Sequence, residues 1–223
     1  TSLTLNDLNS SGEAVTLTAT TGSIIDGNGG TNNLTATSLT ASAATGISLD
    51  TEVDSITAVV SATGAIDIGE SDAVTLTSVT TSDGSITIGA GGTITIDNGG
   101  AGNAVTAAAS GTISITANGA TSNLVVNDGV QSAAGTITLT ADDDLAISAN
   151  VMTTAGNGAI DLNAGTDLLI DNDAIVSTVG NGAITGDAVR LIEISSNAAT
   201  TTVQTVNGDI TLVANDTGVS GDF

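Results

Sequence analysis

The 223-residue chain carries 24 acidic residues against a single basic one, Arg190, for a formal net charge of −23, and it contains no cysteine, histidine, proline or tryptophan. Phosphate neutralisation needs clustered Lys or Arg, so nucleic acid and anionic lipid headgroups are excluded as partners, while thiol and imidazole nucleophiles, ordinary zinc sites and disulfide staples are excluded by the missing side chains. A hydrophobic content of 40% with a mean hydropathy of +0.35 separates the chain from acidic disordered sequences, and no stretch approaches the ~18 consecutive apolar residues of a membrane span.

The chain opens on a strand-like run, Leu3-Thr4-Leu5, and then settles into a repeat. The phrase Gly-x-Ile-x-(Ile or Leu) starts at Gly64, Gly84, Gly111, Gly135, Gly158 and Gly208, with degenerate copies at Gly22, Gly46 and Gly182. The spacing averages about 23 residues, in the range of solenoids and below that of a propeller blade. Two residues after the glycine stand Ile86, Ile113, Ile137, Ile160, Ile184 and Ile210. Two further on come Ile88, Ile115, Leu139, Leu162, Gly186 and Leu212, and then Ala90, Ala117, Ala141, Ala164, Ala188 and Ala214. Strict alternation of this kind gives each strand one apolar face and one face of Thr, Ser, Asp and Asn. The recurrent Ala predicts a corner too tight for larger side chains. Further short runs follow it, such as Leu145-Ala146-Ile147 with Val151, and Leu168-Leu169-Ile170 with Ile175-Val176.

These elements predict an all-β chain, a right-handed parallel β-helix of about nine coils with three short strands per coil, residues 1–223 forming one domain. At ~4.8 Å per coil the rod is on the order of 45 Å long. Asn157-Gly158, Asn181-Gly182 and Asn207-Gly208 mark one corner in successive coils. There glycine is expected to supply positive φ and the asparagines an axial amide ladder. No capping element is evident at either end, and the chain is expected to be a segment of a longer array, with any secretion signal lying outside it.

Chemistry has few candidates. Asp142-Asp143-Asp144 with Asp167, Asp171 and Asp173 offer carboxylates of the kind polysaccharide-cleaving β-helices use. Aromatic platforms for sugars and basic residues to meet uronates are missing, so no catalytic residue and no enzymatic activity are expected. Calcium is a milder reading, with Asp26 and Asn28 in Asp26-Gly27-Asn28-Gly29-Gly30, and Asp171 and Asp173, as hard oxygen ligands at turns. Neither the EF-hand loop nor the Gly-Gly-x-Gly-x-Asp repeat is present. Ordering of ice by Thr136, Thr138 and Thr140 is disfavoured because the next coil places Ala159, Asp161 and Asn163 at those positions.

The units Gly135-Thr-Ile-Thr-Leu-Thr-Ala141, Gly158-Ala-Ile-Asp-Leu-Asn-Ala164 and Gly208-Asp-Ile-Thr-Leu-Val-Ala214 resemble the repeats of filamentous-haemagglutinin-like exoproteins and large bacterial surface adhesins. The resemblance covers most of the chain. It implies a secreted or surface-anchored, extracellular protein that displays binding regions on a β-helical stalk. The family's Asn-Pro-Asn-Leu secretion motif is not in this proline-free sequence. The expected role is a stalk or filament body, and the alternative is a subunit that stacks end to end into an extracellular filament. Neighbouring coils of the same or identical chains, and cell-surface glycans or proteins, are the expected partners.

Overall fold

The computed structural model describes residues 1–100, 102–196 and 199–215, so that for the expectation of uncapped ends the last eight residues lie outside them. The described residues form parallel strands stacked into a β-solenoid of about nine turns at about 24 residues per turn, with no helix among them. Three stacks of strands make three sides. The first runs through Ile66–Glu70, Ile86–Ala90, Ile113–Ala117, Ile137–Ala141, Ile160–Ala164, Ile184–Ala188 and Ile210–Ala214, each paired in register with the next. Ile94–Ile96, Leu124–Val126, Leu145–Ile147, Asp167–Ile170 and Leu191–Ile194 stack on the second side. The third carries Asn103–Ala107, Gly129–Ser132, Val151–Thr153, Ile175–Ser177 and Thr202–Gln204.

Like residues meet in columns, as the alternation requires. Ile86, Ile113, Ile137, Ile160 and Ile184 lie over one another and are no more than 1% exposed. Ile94, Leu124, Leu145 and Leu168 fill the second side, and Val79, Val105, Val130, Val151 and Val176 the third. The core is thus a narrow aliphatic shaft without rings. Gly186 interrupts one column, and the ends of the Leu168 and Leu212 side chains occupy the space its missing Cβ leaves.

Three short strands per coil hold only from Ile86 onward. Earlier, Leu8–Ala19, Leu34–Ala43 and Val74–Asp83 run unbroken from the second side to the third, and Ile47–Thr63 spans all three. No glycine lies in residues 34–43, 47–63 or 74–83, whereas Gly119 and Gly165 punctuate the later coils. The Gly46 copy also sits one place off. Because Ile47 pairs with Ile66, Thr45 occupies the glycine column, under Gly64.

The repeat glycines have a different reason from the one expected. Gly158 and Gly182 do not have positive φ; the left-handed glycines of those corners are Gly156 and Gly180, two residues earlier. A Cβ on Gly84, Gly111, Gly135, Gly158, Gly182 or Gly208 would overlap the carbonyl oxygen of the glycine one coil before. Successive backbones approach so closely there that only a residue without a side chain fits. The amide ladder is correspondingly partial. Asn157 Oδ1 accepts from the Asn181 backbone N–H at 2.9 Å, but the Asn207 N–H goes to the Gly180 carbonyl.

Candidate functional site

The polar residues collect at the corners, where the axial backbone ladder breaks and N–H groups need other acceptors. Asp142 accepts from the Gly119 N–H at 2.7 Å, Asp144 from Asp167 N–H at 3.1 Å, and Asp128 from Asn98 N–H at 2.6 Å. Asn123 and Asn150 serve Asp144 and Ile175 in the same way. Asp167, nearly buried, receives Arg190 in a two-pronged ion pair, with Nε at 2.7 Å. The Arg190 hydrogen bond holds the Asp167 carboxyl below its ordinary range, against the opposing effect of burial. Of the carboxylates singled out as acid–base candidates, Asp142 and Asp144 thus accept from backbone N–H groups and Asp167 from arginine, with Asp143 and Asp144 lying near the same guanidinium.

The four calcium candidates fall in two separate places. Asp26 ends the strand Ile24–Asp26 near the first coils and Asn28 follows it, whereas Asp171 and Asp173 follow Asp167–Ile170 some six coils further along. Asp26 Oδ1 and Asn28 Oδ1 do converge, but the group between them is an amide. Fully buried Asn33 points Nδ2 at both, at 2.8 Å each, and at the Leu5 carbonyl. Asn28 and Gly29 add backbone N–H donors to Asp26. These donors, Asn33 first, lower the Asp26 pKa. Asp171 accepts from the Ser148 hydroxyl at 2.8 Å and Asp173 from Ala199 N–H at 2.8 Å, and Asn172 and Asp173 both have left-handed φ. Asp173 borders a shallow groove of about 240 Å³ with Asn103, Asp128, Ser148 and Asn150. Among the described residues no three acidic side chains gather as a metal-binding group.

Two features had not been anticipated. One is a column of hydroxyls at the end of the third side. Thr81, Thr153, Thr178 and Thr205 donate to the carbonyls of the repeat glycines that follow them, Gly84, Gly158, Gly182 and Gly208, while Ser132 donates to Gly111 one coil back and accepts from Gly135 N–H, and Ala107 holds the position between Thr81 and Ser132. A Ser or Thr three to five residues before the repeat glycine is the sequence signal. The other is Glu70, in the Ala column between Thr51 and Ala90 and 5% exposed. It shows that this corner admits a long side chain. The carboxylate accepts from the Thr51 hydroxyl at 2.6 Å and from the Val53 and Ser71 N–H groups. Burial nevertheless pushes its pKa up to about 7, with the neighbouring Asp72 carboxyl adding to the rise and the Thr51 and backbone donors opposing it. The departure of Glu from Ala at this repeat position is what marks it in the sequence.

Compared with protein-family models, curated proteins and solved structures, the chain matches none.

Proposed function

We propose that the chain is a non-enzymatic structural segment, the stalk or filament body of a secreted or surface-anchored bacterial adhesin-like protein, working outside the cell. The observation that supports this is the unbroken register: inward columns continue from coil to coil along the rod, so that ordered mass is converted into length. The engagement of the corner carboxylates with backbone N–H groups agrees with a scaffold role. In such a protein this segment holds apart regions that meet cell-surface glycans or proteins. Electron microscopy of the purified chain at physiological salt tests the reading, with single rods or small irregular assemblies expected. Long uniform fibres whose axial repeat equals the rod length would replace it with the end-to-end subunit. Release of sugar fragments from a panel of polysaccharides would refute the non-enzymatic role outright.

A further inference from the structure

Charge is distributed unequally around the rod. Among the described residues every ionisable side chain lies on the first side, the second side or a corner, and none faces outward from the third. Asp83, Asp128 and Asp173 stand only at its borders. One outward position follows the register through every coil of that side, from Thr18 through Val59, Thr80, Thr106 and Met152 to Gln204, without a charge. In a chain with a net charge of −23, a strip charge-free over its full height, where the matching column of the second side ends on Glu193, is the direction from which a second copy can approach with least repulsion between carboxylates.

We infer that the third side is a lateral interface on which two copies of this chain pair, third side to third side. Its dimensions suit that occupant. About nine turns at ~4.8 Å give ~43 Å of height, and strands of three to five residues, without the flanks that carry the border aspartates, give roughly 10–16 Å of width. The product, about 430–700 Å² per partner, reaches the lower end of the ~600–1,000 Å² per partner of a stable interface. The surface is self-complementary in kind, since its Thr, Ser and Val side chains, with Gln131, Met152 and Gln204 toward one end, are uncharged and at strand spacing can interdigitate as zippers do, and one two-fold axis closes the pair. A sugar polymer fits less well, because no aromatic ring lies on this side to stack on. The pairing holds whether the rod serves as stalk or as filament body.

Repulsion between the other sides opposes association until salt screens it. Raising NaCl from 0.01 to 1 M shortens the screening length from about 30 Å to about 3 Å, and sedimentation equilibrium should then show the mass doubling from 21.3 kDa. Placing a charge in the interface should prevent this, since it has no partner there. Thr80→Asp with Thr106→Asp should stay monomeric at high salt, while Ser114→Asp with Thr140→Asp, outward on the first side, should pair like the parent. If the third-side pair of changes melts early, Gln131→Glu supplies one charge at the middle of the strip with no change of shape and still accepts from Asn103. A chain monomeric at every salt concentration overturns the inference, as does equal loss of pairing from the two sides. Binding of the monomer to an insoluble neutral polysaccharide, without pairing, would also overturn it and give the strip to that polymer.

Discussion

Replacing Glu70 by Gln should make the rod more stable at neutral pH and erase part of its pH dependence. The unfolded carboxyl titrates at about 4.5 and the folded one at about 7, so the sign follows from proton binding. Below pH 4.5 the group is protonated in both states and its favourable contribution is complete. Between 4.5 and 7 the folded chain keeps a proton that the unfolded chain releases, and stability falls as pH rises. Above 7 the contribution is gone. At ~1.36 kcal/mol per unit the full span is about 3 kcal/mol, and screening at a corner beside exposed Asp72 reduces the working value to about 1–2 kcal/mol.

Gln reproduces the protonated form. Its carbonyl can accept from Thr51 and Val53, and its amide can donate to Asp72. Asp50 and Glu52, which flank Thr51, are unchanged, and the neighbouring Ala90-Gly91-Gly92 segment carries no charge. The assay is the melting temperature of both proteins from pH 4 to 8, read as a difference so that the other carboxylates cancel. The two should coincide near pH 4.5, and Glu70→Gln should melt about 2–8 °C higher at pH 8. A difference that stays flat across the range, or that has its midpoint below pH 5, would refute the argument that burial outweighs the donors around this carboxylate.

Two other changes test the columns. Ile137→Asp puts an unpaired charge into the shaft and should cost several kcal/mol, whereas Thr138→Asp, outward and opposite Asp161, should cost no more than about 1 kcal/mol of repulsion; equal losses in thermal melts would mean the register is wrong. Gly135→Ala drives a methyl group into the Gly111 backbone and should cost about 1–3 kcal/mol. Gly89→Ala, whose new Cβ meets only ordinary contact, should be neutral or stabilise by about 0.5 kcal/mol in urea unfolding, and a matching loss at both glycines would leave close backbone approach without support.

The fold was legible because its two periods are written into the chain at once. The two-residue alternation assigns a face, and the repeat of about 23 residues assigns a coil, so aligning the glycines already stacked Ile137 between Ile113 and Ile160. Corner geometry was less legible. A glycine needed for positive φ and a glycine needed for close approach read alike, and only the position of the neighbouring coil separates Gly156 from Gly158. The drift of Gly46 out of its column is hidden for the same reason, since a one-residue slip is visible only against the partner strand.

The candidate sites fared differently again, because a hydrogen bond needs two addresses and the sequence states one. Asp26 and Asn28 looked like cation ligands on their spacing, but Asn33, five residues beyond Asn28, brings its own donor to the point where their oxygens converge. Glu70 was legible only as an exception to the Ala column, and its partners Thr51 and Val53 come from the preceding coil. The uncharged third side was hidden by the same cause. Residues 98–127 contain no charge at all, yet the strands Asn103–Ala107, Ile113–Ala117 and Leu124–Val126 among them lie on all three sides, so a gap in the linear charge pattern does not locate a face. It becomes a surface property only when the coil phase places Thr106 over Thr80 and under Gln131, and the same phase places the acidic residues elsewhere on every turn. Phase between coils, rather than composition within them, therefore determines which sides of this rod repel and which side is left to make contact.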